Sequence, residues 1–396
     1  MQLDFFFGSN TPNGFFGFFD EFTNPESKDY DEYKKLYIIK GGPGTGKSSL
    51  IRKVIQSMEH ALISDQNQHP QYPQYPKKLN HIERIHCASD PSSLDGAVFC
   101  GTGVRLIDGT PPHTVEPVYP GAYESIINLC DCWDEKQLES KRREISEAFQ
   151  LEKDCRELCR SYLNAASRIL DDSRKIVSKF TDIDKISRFS RLLIEKELKN
   201  KNSPGNIRGA LSPGYIQGIE RKRFLSTVTY EDITGYPQTI KSLCDRIYLI
   251  RDGYGAAANL LLTAVRDYAL GNGFDFYSCR CPLDPENRLE HLLFPSLRMG
   301  IITSSRFFKF DITEQCEVNT VNYTRFTDMK ALKSKKQLLN FFQRAVDKYI
   351  SGAVSYLKKA KHIHDKLENY YTGAMNFNAI DSKANRLIAE IAQTTC

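Results

Sequence analysis

Short apolar runs alternate with helical patterns along the first third of the chain. The runs at residues 37–39, 82–87 and 103–110 are rich in β-branched and aromatic residues, as strands are. Residues 96–99 fit either a further strand or the end of a helix. Because helical segments separate the strands, the pattern predicts a parallel α/β sheet that binds its ligand at the carboxyl ends of the strands.

A charged, helical composition follows from about residue 133 to residue 199. Apolar side chains recur there at intervals of four and three residues, as on one face of a helix: Leu151, Cys155, Leu158, Tyr162, Ala165 and Ile169. A second stripe has the same spacing: Leu338, Phe342, Ala345, Tyr349, Gly352 and Tyr356. The stripes predict helices paired into hairpins, whose basic faces are expected to be solvated.

A glycine-rich stretch joins the first strand to the next helical pattern. Residues 41–48, Gly-Gly-Pro-Gly-Thr-Gly-Lys-Ser, satisfy the phosphate-loop (Walker A) pattern Gly-x4-Gly-Lys-Ser. In such a loop, backbone N–H groups face phosphate oxygens at the positive end of a helix. Lys47 is then expected to reach the β- and γ-phosphates of ATP, and Ser48 to bind Mg²⁺. The predicted ATP-binding residues are Gly42, Pro43, Gly44, Thr45, Gly46, Lys47, Ser48 and Ser49.

Asp108 is the best candidate for the second acidic element of this site. It ends an apolar strand with the pattern Val-x-Leu-Ile-Asp, and it is predicted to hold Mg²⁺ together with Ser48. The alternative is an aspartate that only shapes the turn before Gly109. No glutamate follows Asp108, so the Asp-Glu pair of many motor-type ATPases is absent. The candidate general bases are Asp90, His113 and Glu116, and no arginine finger can be assigned.

The chain contains the same sequence unit twice. Matching segments follow one another in the same order, which indicates an internal repeat. They are residues 35–44 with 246–255 (248 − 37 = 211), residues 7–11 with 225–229 (229 − 11 = 218), residues 86–91 with 280–285 (284 − 90 = 194), and residues 162–171 with 356–365 (356 − 162 = 194).

The second copy of the loop lacks the residues that are expected to bind phosphate and Mg²⁺. Residues 257–259, Ala-Ala-Asn, stand opposite Gly-Lys-Ser, and Ser305 is expected opposite Asp108. Loss of a phosphate-binding lysine and a magnesium ligand removes charge-assisted contacts with the nucleotide. We therefore predict a pseudo-NTPase half in which Tyr254 and the two alanines fill the vacated space.

The predicted fold class is α/β, with two tandem P-loop NTPase-like parallel-sheet domains, each carrying a helical hairpin extension. The predicted divisions are an intact P-loop domain (1–133), its helical extension (134–200), a Pro/Gly/Ser-rich linker (201–218), a degenerate P-loop domain (219–325) and its helical extension (326–396). A polar, proline-spaced surface loop is predicted at residues 64–80.

Composition adds few constraints to this interpretation. The chain of 396 residues is 40% hydrophobic and 26% charged, and its net charge of +5 is too mild to favour nucleic acid as a partner. It has no apolar run long enough for a membrane span and no signal-peptide pattern at residues 1–5, so a cytoplasmic protein is expected. The 11 cysteines lack zinc-site spacing and are expected to be free, mostly buried thiols.

Five segments together resemble a poorly characterised family of bacterial tandem P-loop ATPases, sometimes labelled nucleotide kinases. They are the phosphate loop at 40–48, residues 8–15, His-Cys-Ala-Ser-Asp-Pro-Ser-Ser-Leu-Asp-Gly at 86–96, Ile-Asp-Gly-Thr-Pro-Pro-His at 107–113, and Tyr-Pro-Gly-Ala at 119–122. The resemblance covers essentially the whole chain and implies ATP binding at residues 41–49. Members often keep a second phosphate loop, and this sequence departs from that pattern.

The expected function is that of an ATPase, a magnesium-dependent hydrolase with one competent site in the first repeat. Turnover is expected to be slow unless a partner completes the site. One alternative is a small-molecule or nucleotide kinase, with a second substrate as acceptor. The other is an ATP-gated module with negligible turnover that binds a protein or, with less support, a nucleic acid.

Overall fold

The computed structural model describes residues 2–23, 34–66, 80–199, 217–305, 308–309 and 316–395. Most of the predicted surface loop (64–80) and of the predicted linker (201–218) lies outside these residues. Residues 64–66 belong to a helix instead.

The amino-terminal half combines strands and helices, but the predicted alternation is confirmed only in part, because the last four strands of this half follow one another without an intervening helix. The strands are Gln2–Phe6 (β1), Gly8–Thr11 (β2), Gly14–Gly17 (β3), Lys35–Lys40 (β4), His81–His86 (β5), Leu94–Cys100 (β6), Val104–Asp108 (β7) and Glu124–Asn128 (β8). The helices are Phe19–Thr23 (α1), Lys47–Gln66 (α2), Glu135–Ser140 (α3), Arg142–Ser178 (α4) and Ile183–Glu197 (α5).

The carboxyl-terminal half repeats this plan. Its strands are Glu220–Arg223 (β9), Ser226–Val228 (β10), Ile233–Gly235 (β11), Arg246–Arg251 (β12), Phe276–Cys281 (β13), Asp284–Phe294 (β14), Met299–Ser304 (β15) and Glu317–Asn322 (β16). Its helices are Pro237–Leu243 (α6), Ala258–Gly271 (α7), Met329–Leu332 (α8), Lys336–Ala374 (α9) and Phe377–Thr395 (α10).

Two six-stranded sheets have the same topology. Their strand orders are β1-β5-β6-β7-β4-β8 and β9-β13-β14-β15-β12-β16. Within each sheet one strand, β6 or β14, runs antiparallel to both of its neighbours, and the other pairings are parallel. The prediction of purely parallel sheets is therefore wrong. A short connection joins β5 to β6, and only antiparallel strands can be joined so closely.

Strand register supports the repeat and corrects one of its details. Ile39 lies opposite Asp108 in the first sheet, and its repeat equivalent Ile250 lies opposite Thr303 in the second. Thr303, not Ser305, is therefore the counterpart of Asp108. Side chains along a strand alternate between its two faces with a period of two residues. A shift of two residues therefore preserves the apolar pattern, and the alignment of the two sequence copies did not reveal it.

The chain divides into two compact units, and both are discontinuous. The first unit contains residues 1–8, 17–158 and 355–396, and the second contains residues 9–16 and 159–354. In the first unit α10 packs on α2, and in the second unit α5 packs on α7. Each sheet is therefore covered by the closing helix that follows the other sheet in sequence, whereas the predicted divisions kept each extension with its own repeat.

Equivalent hydrogen bonds hold the exchanged helices in each unit. In the first unit the backbone N–H of Asp134 donates to the carbonyl of Ala374 at 2.9 Å. In the second unit the N–H of Asp328 donates to the carbonyl of Phe180 at 2.8 Å. Because 328 − 134 and 374 − 180 both equal 194, the same bond is made with the two copies interchanged.

The two predicted helical stripes lie one residue away from the buried face. Leu151 and Leu158 are 55% and 44% exposed, and Leu338 and Tyr349 are 41% and 37% exposed. The buried positions on α4 are Glu152, Cys159, Leu163, Ala166, Leu170, Ser173 and Val177, and those on α9 include Ala353, Leu357, Ala360 and Leu367. Apolar residues occupy two adjacent faces of each helix, so spacing alone did not identify the covered face.

The amino-terminal aromatic residues and the cysteines are buried in part, within the residues that the structure describes. Residues 5–7 of the aromatic amino-terminal segment are buried, as are Phe18 and Phe19. The ten described cysteines are free thiols, as expected, but only five of them are buried, so the expected burial is confirmed for half of them. Across the described part of the chain, none of the helices combines the length and the apolar character that crossing a bilayer requires.

Candidate nucleotide-binding site

The loop between β4 and α2 has a conformation that its glycines make possible. Gly44 and Gly46 have φ angles of +63° and +83°, in the left-handed region where a side chain is strained. The Thr45 hydroxyl closes the turn by donating to the carbonyl of Gly42 at 2.8 Å. Helix α2 begins at Lys47. The loop therefore precedes a helix N-terminus, the arrangement that favours an anion.

Lys47 is folded back onto this loop. Its Nζ donates to the carbonyls of Gly42 at 2.6 Å and Gly41 at 3.3 Å, and it lies 3.7 Å from Oδ2 of Asp108. The side chains of Lys47 and Asp108 are largely buried. The structure thus brings together the predicted phosphate-binding cation and the predicted metal carboxylate.

Asp108 belongs to a buried group of three titratable side chains. Ligand atoms of Asp95, Asp108 and His113 all lie within 4.8 Å of one another. Oδ1 of Asp108 accepts hydrogen bonds from the backbone N–H and the hydroxyl of Thr110 at 3.0 and 2.6 Å. Nε2 of His113 lies 3.2 Å from Oδ2 of Asp95. Asp108 therefore shapes the turn and also faces the site.

Burial and charge act in opposite directions on these groups. Burial raises the pKa of Asp108, against the pull of Lys47 and His113. Burial alone would lower the pKa of His113, but the carboxylate of Asp95 raises it to about 9. His113 is therefore a cation at neutral pH, and it lies with Lys47 beside the two acidic side chains of the group.

The donor atoms present suit Mg²⁺, which prefers carboxylate and hydroxyl oxygens. Asp108 and Asp95 offer carboxylate oxygens. The Ser48 hydroxyl accepts a hydrogen bond from the N–H of Leu94, directly before Asp95. A charged imidazole does not ligate a metal, so His113 fits as a neighbour of the ion and not as a ligand.

Asp90 and Glu116, the other candidate bases, are held by partners of their own. Asp90 accepts hydrogen bonds from the N–H and hydroxyl of Ser92 at 3.0 and 2.6 Å and lies 3.2 Å from Nζ of Lys361. Although burial opposes the shift, these contacts lower the pKa of Asp90. The largely exposed Glu116 lies 2.5 Å from Nζ of Lys40. The structure shows both carboxylates engaged in local contacts.

The last turns of α9 lie against the loop within the first unit. A Cβ atom added to Gly42 would lie 2.7 Å from the Tyr371 ring, and one added to Gly44 would lie 2.7 Å from the carbonyl oxygen of Glu368. The Thr372 hydroxyl donates to the carbonyl of Gly44 at 3.3 Å. Close packing of α9 therefore requires the same glycines that a phosphate loop requires.

In the equivalent loop of the second unit, the backbone N–H groups bind a carboxylate side chain of the protein itself. The fully buried carboxylate of Asp252 accepts four backbone N–H groups, from Tyr254 (3.2 Å), Gly255 (2.8 Å), Ala257 (2.8 Å) and Ala258 (3.0 Å). Asp252 replaces Gly41, at an offset of 252 − 41 = 211. Backbone N–H groups that would face a phosphate are thus satisfied internally.

Paired substitutions make room for this carboxylate. A Cβ atom at Gly41 would lie 2.6 Å from the Thr45 hydroxyl, and the second copy has Ala256 at the position of Thr45. One further bond is common to both copies. Oδ1 of Asn259, the counterpart of Ser48, accepts the N–H of Leu289 at 2.9 Å, as Ser48 accepts that of Leu94.

Sequence reasoning missed Asp95 and Asp252. Asp95 stands between Leu94 and Gly96 at the start of an apolar run, and a charged residue inside a buried strand was the available signal. Asp252 was visible as the residue opposite Gly41, but only its position relative to the loop N–H groups reveals its role.

Comparisons of this chain with protein-family models, curated proteins and solved structures find no match.

Proposed function

We propose that the chain binds Mg-ATP through residues 42–49 and hydrolyses it slowly, and that the loop of the second unit binds no nucleotide. One observation carries the proposal: a glycine-rich loop with two left-handed glycines leads into α2 at Lys47, whose ammonium lies 3.7 Å from the buried Asp108 carboxylate. A cation, helix N-terminal N–H groups and a metal-type carboxylate are the groups that triphosphate binding requires.

Each residue has a defined task in this proposal. Lys47 exchanges its bonds to the loop carbonyls for bonds to the β- and γ-phosphates. Ser48, Asp108 and Asp95 would hold Mg²⁺, which when bound neutralises charge on the phosphates. His113, kept charged by Asp95, acts as a nearby cation and not as a general base. Asp90 and Glu116 are held by local contacts, so none of the three candidate bases is free to activate water, and slow turnover is expected.

Calorimetric titration with Mg-ATP tests the proposal. The parent chain should bind one equivalent. Lys47→Ala should weaken binding roughly 10- to 100-fold, because a charge-assisted phosphate contact is lost. Lys53→Ala is the matched control, since Lys53 lies on the same helix and pairs with Asp381 on the surface. Two equivalent sites, or an unchanged affinity of the Lys47 variant, would contradict the proposal.

A second candidate, an ATP-gated binding module, is favoured by the position of α9. The Tyr371 ring and the Glu368 carbonyl touch Gly42 and Gly44, so a ligand entering the loop must alter or use these contacts. Assays of phosphate release and of transfer from labelled ATP distinguish the functions. Released phosphate supports the hydrolase, transfer to an acceptor supports a kinase, and neither result, with ATP binding intact, supports the module.

A further inference from the structure

A cavity of about 630 Å³ lies in the second unit, beside the degenerate loop. This volume falls within the range of roughly 300–1,000 Å³ that is usual for small-molecule sites. The charged side chains that line it are Arg174, Lys175, Lys179, Arg288, Asp171 and Asp284. Four cations face two carboxylates, so the cavity wall carries an excess of positive charge.

Local partners cancel only part of this excess. Arg174 is paired with Asp171, and Lys175 with Asp172. Arg288 donates to the carbonyl of Gly255 at 2.5 Å. Within the described part of the chain, neither Arg288 nor Lys179 has a carboxylate at ion-pair distance.

The two guanidinium groups also disfavour each other. Burial lowers the pKa of Arg174, and the neighbouring charge of Arg288 lowers it further. Glu290 lies nearby, and burial raises its pKa to about 7, so near neutral pH it offsets only part of this charge. An anion between the arginines would relieve their repulsion.

The cavity lies where the repeat places the candidate site of the first unit. Asn259 is the counterpart of Ser48 (259 − 48 = 211), and Arg174 is the counterpart of Glu368 (368 − 174 = 194). The position over the loop therefore carries an acid in the first unit and a cation in the second. Asp252 already occupies the backbone N–H groups, so any ligand here must be held by side chains.

We infer that this cavity binds a small phosphate-containing anion, of the pyrophosphate or nucleotide-phosphate class, through Arg174, Arg288 and Lys179. Asn259 adds a neutral donor: its side chain lines the cavity, and its Nδ2 has no hydrogen-bond partner among the residues described. Such a site is separate from the proposed ATP site and does not depend on Lys47.

Titration calorimetry with pyrophosphate in the presence of EDTA tests the inference in the Lys47→Ala background, where the first loop is disabled. We expect one equivalent to bind. Arg288→Gln and Lys179→Glu should each weaken binding roughly tenfold or more, because each removes a charged donor. Lys348→Glu reverses an exposed charge on α9 away from the cavity and should leave the affinity nearly unchanged.

Three outcomes would overturn the inference. They are no binding of pyrophosphate in the Lys47→Ala background, an equal loss of affinity in the Lys348 variant, and an unchanged affinity in the Lys179 variant. Lys179 is exposed, so its variant remains informative if Arg288→Gln fails to fold, which circular dichroism reveals. Parallel titrations with inorganic phosphate and ATP distinguish a single-phosphate ligand from a nucleotide. Failure here leaves the proposed ATP site untouched, since that site is measured in the parent chain with magnesium.

Discussion

Asp252 shows how one carboxylate changes what a glycine-rich loop can bind. Its two oxygens accept four backbone N–H groups, whereas Gly41 at the equivalent position leaves its loop without a side-chain acceptor. Binding a phosphate at the second loop would require removal of this buried carboxylate. In the proposed function, Asp252 therefore excludes a phosphate from the second loop, in addition to the loss of lysine and serine.

Replacement of Asp252 by alanine should destabilise the second unit by about 3 kcal/mol, because buried N–H groups lose a charged acceptor. Urea denaturation followed by circular dichroism measures this change. Glu286→Ala, at an exposed position, is the control and should stay within about 0.5 kcal/mol of the parent. Similar decreases in the free energy of unfolding of the two variants would mean that the Asp252 contacts contribute little to stability.

His113 should make stability depend on pH. Its pKa of about 9 in the fold exceeds the ordinary value of 6.5, so its contribution is fully present below about pH 6.5 and disappears as the pH rises through about 9. The free energy of unfolding of the parent should exceed that of His113→Gln by on the order of 2 kcal/mol near pH 6.

This difference should shrink toward zero near pH 10, as urea unfolding at several pH values will show. His362→Gln, at an exposed position, is the control for the change from histidine to glutamine. A constant difference between parent and His113→Gln across this range would show that His113 is not held charged by Asp95.

At the scale of residues, the sequence predicted the members of the site that belong to a linear motif. Lys47 and Asp108 were expected together and lie 3.7 Å apart. Asp95 was not expected, because it reaches the site only through the antiparallel pairing of β6 with β7. A motif lists residues along the chain, and this pairing is a property of the folded sheet.

At the scale of elements, the loop and the end of α9 restrict each other. Gly44 has a left-handed φ of +63° and faces the Glu368 carbonyl, whereas Gly121 has a φ of +82° with open space around its Cα. The two glycines thus share the backbone requirement and differ in the packing requirement.

Alanine substitutions separate these requirements. Gly121→Ala should lower the free energy of unfolding by about 1 kcal/mol, from backbone strain alone. Gly44→Ala should cost at least about 2 kcal/mol more, since the new methyl group would lie 2.7 Å from backbone of α9. Thermal and urea unfolding of both variants measures the difference. Equal decreases in the free energy of unfolding would show that α9 moves away from the loop at little cost, as the entry of a ligand would require.

Apolar patterns predicted several elements of the fold, but they did not predict strand direction or the covered face of each helix. The sequence placed β4, β5 and β7 correctly because each is a continuous apolar run bounded by polar turns. Residues 96–99 were ambiguous, and β6 proved to be the antiparallel strand. Direction depends on the length of the connection, and the covered helix face depends on what packs on it.

At the scale of the whole molecule, the exchange of helices makes each unit depend on both halves of the sequence. Residues 380–391 of α10 contribute to the core that contains α2, and residues 186–193 of α5 contribute to the core that contains α7. Fragments 1–200 and 201–396 should therefore fold poorly alone and recover native structure when mixed. Circular dichroism and size-exclusion chromatography of each fragment and the mixture test this. Native-like folding of either fragment alone would contradict it.

The position of the end of α9 against the glycine-rich loop also has an evolutionary consequence. The residues that touch Gly42 and Gly44 are encoded more than 300 codons downstream, in the half whose own loop has degenerated. Selection on the proposed ATP binding would thus preserve residues 368–372 together with the loop of the first half. Substitutions at these positions should accompany changes at residues 42–44 in related genes, and loss-of-function alleles should arise in both halves.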